Sequence, residues 1–228
     1  MSGQSRVAIA LAVGTLLTGC ASLLGESPPI DFYVLTSTSS GSGASPLDDS
    51  RIIAVQTVRL PEYLNQKGIV TRTEANELHV DANSQWGGAL DDNMTKVIVA
   101  DLSKLLGTTR IVAYPVSAAL PVDRVVQVDV SRFEAESDGN VQLSAQWIIF
   151  GDGGRSYVHI DGGSYSASAG DGDYRSIAAA MSRALGDLSR DIATSLAVAP
   201  TRPKPSSSAT RLDYTKVLSA TIGELDGQ

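Results

Sequence analysis

Residues able to do chemistry are few in this 228-residue chain: one cysteine, Cys20, and two histidines, His79 and His159. His79 stands between Leu78 and Val80 and His159 between Val158 and Ile160, alternations that make both solvent-facing strand residues rather than catalytic bases. The sequence contains neither a Gly-x-Ser-x-Gly elbow nor a His-Glu-x-x-His pair, and two separated histidines do not make a zinc site. Asp171-Gly172-Asp173 begins like a calcium loop but lacks the glutamate that closes one, so it is expected to cap a helix. Gly151-Asp152-Gly153-Gly154 joins two predicted strands rather than a strand and a helix, which makes it a hairpin turn and not a phosphate cradle. No catalytic set, metal or cofactor is expected.

That leaves Cys20. It closes Leu17-Thr18-Gly19-Cys20 at the end of the apolar run Val7 to Leu17, with Arg6 ahead of the run. A basic head, an apolar stretch and small residues before a cut site form a secretory signal. The tetrapeptide is similar to the bacterial lipobox, in which cleavage falls just before an acylated cysteine. The apolar run makes about 16 Å of helix, too short for a ~30 Å hydrocarbon core, so an uncleaved membrane helix is disfavoured. An ordinary secretory signal with a stray thiol is the remaining alternative. Residues 1–19 are thus expected to be the signal peptide and 20–30 a lipidated tether.

Composition bounds the partners. The net charge is −7, and loss of Arg6, the one charge before Cys20, takes it to about −8. An acidic chain offers no basic face for nucleic acid and no polybasic patch for anionic headgroups. With its one cysteine acylated, the mature chain has no disulfide and must be stable through its core.

The elements that would position these residues read clearly. Asp31 to Leu35 is a strand, and Thr36 to Ser50, almost all Ser, Gly, Thr and Asp, is expected to be a mobile linker. A strand over Ile52–Val58 ends at Leu60-Pro61, and Pro61 opens a turn or short helix through Tyr63 and Leu64. Ile69–Arg72 and Glu77–Val80 form a hairpin. Leu90 to Leu106 is an amphipathic helix, with Asp91 and Asp92 in its first turn and Gly107 as its stop. A short strand, Ile111–Tyr114, follows. Val125–Glu136, Val141–Trp147 and Ser156–Tyr165 form a β-meander at the centre of the fold. A second helix spans Arg175 to Ala197, with Ile177, Met181, Leu185, Leu188, Ile192 and Leu196 as its apolar stripe. The fold class is α/β (α+β): a mixed, largely antiparallel sheet packed by two helices. The domain covers 31–199, and 200–228 is a Pro/Ser-rich tail with disorder expected from Pro200 to Thr210. Trp86, in a segment expected to be irregular, is read either as a lid over the core or as an aromatic anchor at an interface.

Several of these segments together carry a resemblance. Phe32-Tyr33-Val34-Leu35, Leu60-Pro61-Glu62-Tyr63-Leu64, Ile69-Val70-Thr71-Arg72, Trp86-Gly87-Gly88-Ala89-Leu90 and Gln142 to Trp147 follow in order behind the lipobox. The chain resembles the PqiC-type auxiliary lipoproteins of bacterial ABC-type transport systems, which accompany MCE (mammalian cell entry) proteins. The resemblance implies a periplasmic lipoprotein, anchored at Cys20, that helps move phospholipids or other hydrophobic molecules between the inner and outer membranes. It implies an MCE-domain protein, a permease and an ATPase as partners, and it allows a homo-oligomer. Trp86, Tyr63 and Leu64 become candidates for partner or core anchors. Ala21 after the cysteine points to the periplasmic face of the outer membrane, with the inner membrane as the alternative.

Overall fold

A long central strand organises the molecule. The computed structural model describes residues 28–41, 51–116 and 120–198. In chain order these form β1 (Asp31–Tyr33), β2 (Ile52–Val55), a 3₁₀ turn (Glu62–Leu64), β3 (Gly68–Glu74), β4 (Glu77–Trp86), helix α1 (Leu90–Leu105), β5 (Ile111–Ala113), β6 (Val122–Glu136), β7 (Asn140–Gly151), β8 (Ser156–Ser168) and helix α2 (Tyr174–Val198).

One edge of β6 pairs antiparallel with β7 from Val125↔Phe150 to Ala135↔Val141, and β7 pairs antiparallel with β8. The other edge of β6 is shared. Its first half takes β2 in parallel (Ile52↔Val122 to Val55↔Val126), Arg59 bridges to Asp129, and its end takes β3 in parallel (Thr71↔Ala135, Arg72↔Glu136). Beyond β2 lies β5, in parallel; beyond β3 lie antiparallel β4 and then parallel β1. The result is an open, eight-stranded mixed sheet; the expected meander forms, but only its first strand, β6, is central, and it runs out through β7 to an edge at β8.

Alternation along β6 puts Val126, Val128 and Val130 on the buried face. A register shift between Val130 and Arg132 then transfers that face to Phe133 and Ala135. One extra residue in the strand reverses the parity, as a bulge does. The same shift turns Arg132, Glu134 and Glu136 to the other face. Val141, Leu143, Ala145, Trp147 and Ile149 of β7 extend the buried face, and the Trp147 indole N–H donates to Ser195 Oγ of α2 at 3.2 Å. All six residues of the predicted α2 stripe are buried. Asp173 caps α2 by accepting the Ser176 N–H at 2.6 Å, and this bond holds its carboxyl below the usual range. Gly107 ends α1 at φ +61° and Gly139 turns β6 into β7 at φ +78°, backbone that glycine adopts without strain.

Two expectations are corrected. The stretch from Thr36 to Ser39 is not a loose linker. The Leu35 N–H donates to Asn93 Oδ1 of α1 at 2.7 Å, and the Thr36 N–H to Ser182 Oγ of α2 at 3.1 Å. Ser37 Oγ–H and the Ser39 N–H both donate to Asp101 Oδ1 of α1, at 2.5 and 3.2 Å. Ser and Thr composition reads as a linker, but short hydroxyl side chains also let a strand end run in contact with two helices. Gly186 of α2 supplies part of the room, since a Cβ there would lie 2.3 Å from Thr38 Oγ1. Residues 42–50 lie outside the described set. Trp86, in turn, is not in an irregular segment: it is the last residue of β4, opposite Tyr33 of β1.

Candidate functional site

Cys20 and the tail from residue 199 lie outside the described residues, so the geometry concerns Tyr63, Leu64 and Trp86. Leu64 and Trp86 belong to one contiguous buried cluster, at 2 % and 6 % exposure. Pro61, with φ −63°, sets the entry to the 3₁₀ turn, and its carbonyl accepts the Leu64 N–H at 3.0 Å. The turn thus drives Leu64 inward and leaves Tyr63 half-buried beside it, pointing at β6.

Tyr63 meets a group that inspection of the chain had not singled out. Its hydroxyl donates to Glu134 Oε2 at 2.8 Å. Glu134 is fully buried, although the strand alternation turns it to the face opposite Phe133. Arg72 Nε and Arg132 Nε donate to its Oε1 at 2.8 and 2.9 Å, and the Phe133 N–H donates to Oε2 at 3.1 Å. Arg132 also bonds Glu136, and Arg72 Nη1 donates to the Ala75 carbonyl in the β3–β4 turn at 2.9 Å. Two guanidinium groups against two carboxylates make the group neutral, and a buried carboxylate needs such pairing. Burial and then the bond to Glu134 push the Tyr63 hydroxyl up to about 12, so it stays a proton donor in the hydrogen bond and is no nucleophile near neutrality. The cluster locks the Pro61–Leu64 turn onto β3 and β6. The signal that could have found it is the break in the valine alternation after Val130, followed by Arg132, Glu134 and Glu136 at period two.

The histidines do not converge with it or with each other. His79 is exposed and His159 half-buried, each with an aspartate two residues on at nearly 4 Å. Among the described residues no group of three His, Cys, Asp or Glu side chains could hold a metal. The space between sheet and helices is filled by Trp147, Phe133, Met94, Met181, Leu102 and Leu143, all but fully buried. Open grooves lie on the surface of the described residues. One of about 460 Å³ lies between Tyr114–Val116, the start of β6 and the β7–β8 turn, and another of about 550 Å³ lies across the polar face of the meander.

A sheet-and-helix body agrees with what comparison finds. The family described as the ABC-type transport auxiliary lipoprotein component matches residues 33–193. The chain belongs to this family. The auxiliary lipoproteins similar to it include the intermembrane transport lipoprotein PqiC of Escherichia coli strain K12, 29 % identical over 133 residues, which are 58 % of this chain and 68 % of PqiC. PqiC of Shigella flexneri matches to the same extent. A crystal structure of a protein from Xanthomonas campestris superposes with a TM-score of 0.63 at 16 % identity, over 74 % of this chain and 95 % of that one. A second, of an uncharacterized protein, gives 0.60 at 20 %, over 73 % and 97 %. These two show that the fold recurs. The matched span of the auxiliary lipoprotein family takes in the Pro61–Leu64 turn, Trp86 and the whole Glu134 cluster.

Proposed function

We propose that this chain is the periplasmic accessory subunit of an MCE-type ABC transport system that moves phospholipids or other hydrophobic molecules between the inner and outer membranes. It acts by docking to the MCE-domain protein, with the permease and ATPase completing the system. In this reading residues 1–19 are removed, Cys20 carries the lipid anchor, 31–199 is the docking domain, and the periplasmic face of the outer membrane is the place of attachment. Membership of the auxiliary lipoprotein family, with PqiC as a relative, supports the transport role.

The observation that favours docking over carriage of lipid inside the domain is the filled sheet–helix interface. A carrier needs an apolar cavity for acyl chains, of about 300 Å³ or more. Here that position holds Trp147, Phe133, Met94 and Met181 in one buried cluster. Carriage would require the helices to part from the sheet at the cost of much of the core.

Affinity purification of the tagged full chain from membranes in mild detergent tests the proposal. Recovery of an MCE-domain protein is the expected result. Recovery of no such protein, together with lipid bound to the isolated domain in native mass spectrometry, would replace docking with carriage.

A further inference from the structure

Ile30, Phe32 and Val34 alternate along β1 and its flanks, at 50 %, 66 % and 56 % exposure. Period two sets them on one face, while Tyr33 and Leu35 turn to the core. Among the described residues β1 is an edge strand, bonded to β4 alone. Phe32 stands opposite Gln85, and the segment past β4 is Gly87-Gly88, both exposed. A Cβ on Gly87 would lie 3.1 Å from a Val34 methyl, so the glycine leaves that side chain uncovered. In a chain of net charge −7, the stripe and Gln85, Gly87 and Gly88 carry no charge, and the exposed carboxylate between Ile30 and Phe32, that of Asp31, belongs by period two to the other face of the strand.

We propose that this stripe is a second membrane contact, lying in the interfacial zone of a bilayer with neutral headgroups and setting the orientation of the domain. The inference rests on the lipid anchor at Cys20. Ile30 is ten residue steps beyond Cys20, and a fully extended chain spans about 3.5 Å per step. The stripe is therefore held within about 35 Å of the headgroups, and a second contact at that range is effectively intramolecular. Size argues for lipid rather than protein. Three half-exposed side chains offer on the order of 300 Å², far below the ~800 Å² per partner of a standard protein interface. A few apolar side chains suffice at a bilayer surface when an acyl chain already supplies most of the attachment. The absence of charge suits the same partner, because an acidic domain meets a neutral interface without repulsion.

Hydroxyl-radical footprinting of the full lipidated chain on phosphatidylcholine vesicles, against the same chain begun at Ala21, without the lipidated cysteine, in solution, reads the contact directly. Tyr157 is an internal control, since it is 64 % exposed and lies in β8 at the opposite edge of the sheet. Oxidation of Phe32 should fall about fivefold on vesicles while that of Tyr157 stays within about twofold, because only an inserted side chain loses water. Equal oxidation of Phe32 in both states, with the lipidated chain floating with the vesicles, overturns the contact and leaves the anchor intact. Failure to float overturns the anchor, and the contact falls with it. Protection of Phe32 only in extracts that carry a second protein, and not on pure vesicles, makes the stripe a protein interface and likewise overturns the proposal.

Discussion

Glu134 shows how one carboxylate can hold three segments. It accepts hydrogen bonds from the Pro61–Leu64 turn, from β3 and from its own strand, through Tyr63, Arg72 and Arg132. Replacing it with alanine strands two partly buried guanidinium groups, and Glu134→Ala should lower unfolding free energy by about 2–4 kcal/mol in chemical denaturation. Tyr63→Phe removes one donor from a buried carboxylate and should cost about 1–2 kcal/mol. The Tyr63 hydroxyl also gives the cluster a pH signature. Its ordinary value is 10 and the fold raises it to about 12. The folded state therefore binds this proton more tightly than the unfolded state. The contribution is complete below about pH 10 and is lost as pH rises towards 12, so stability should fall across that window. In Tyr63→Phe the fall should be shallower, as read from denaturation midpoints at stepped pH. An unchanged slope would remove Tyr63 from the account.

At the scale of elements, Gly68 is the position where two strands cannot spare an atom. A Cβ there would lie 2.1 Å from the Asp81 carbonyl oxygen and 2.8 Å from a Val80 methyl, at the register irregularity where β3 crosses the far part of β4. Backbone cannot move aside as a side-chain tip can, so Gly68→Ala should cost about 2–4 kcal/mol by thermal or chemical denaturation. Both helices, the central hairpin and its Asp-Gly turn were legible because their apolar spacing is long and regular, as the Ile177–Leu196 stripe shows. β4 ran further than its residues suggested. Asp81, Ala82, Asn83 and Ser84 have little strand preference, yet pairing with β1 and β3 extends the strand through them to Trp86. Tertiary contact likewise decided Thr36 to Ser39, where Asp101 and Ser182 supply partners that no local pattern announces. The Glu134 cluster was hidden for a related reason: its parity depends on a bulge at Ser131, which only the paired strand β7 reveals.

For the whole molecule, attachment is the property on which the proposed role turns. With residues 1–19 replaced by a signal whose cleavage needs no acylated cysteine, Cys20→Ser should move the protein from the membrane fraction to the soluble periplasmic fraction while leaving its denaturation curve unchanged, since the anchor lies ahead of β1. Persistence of that cleaved protein in the membrane fraction would assign attachment to the domain itself. The shared edge of β6 carries a further consequence, one of timing. Ile52 pairs with Val122 and Thr71 with Ala135, separations of 70 and 64 residues. β3 can pair with β4, β1 with β4 and β2 with β5 within the first half, but these two groups of strands are joined into one sheet only through β6, and contacts at such separations form slowly. In the proposed export of this chain from its N-terminus, the sheet would therefore be completed only once β6 had followed the leading half through.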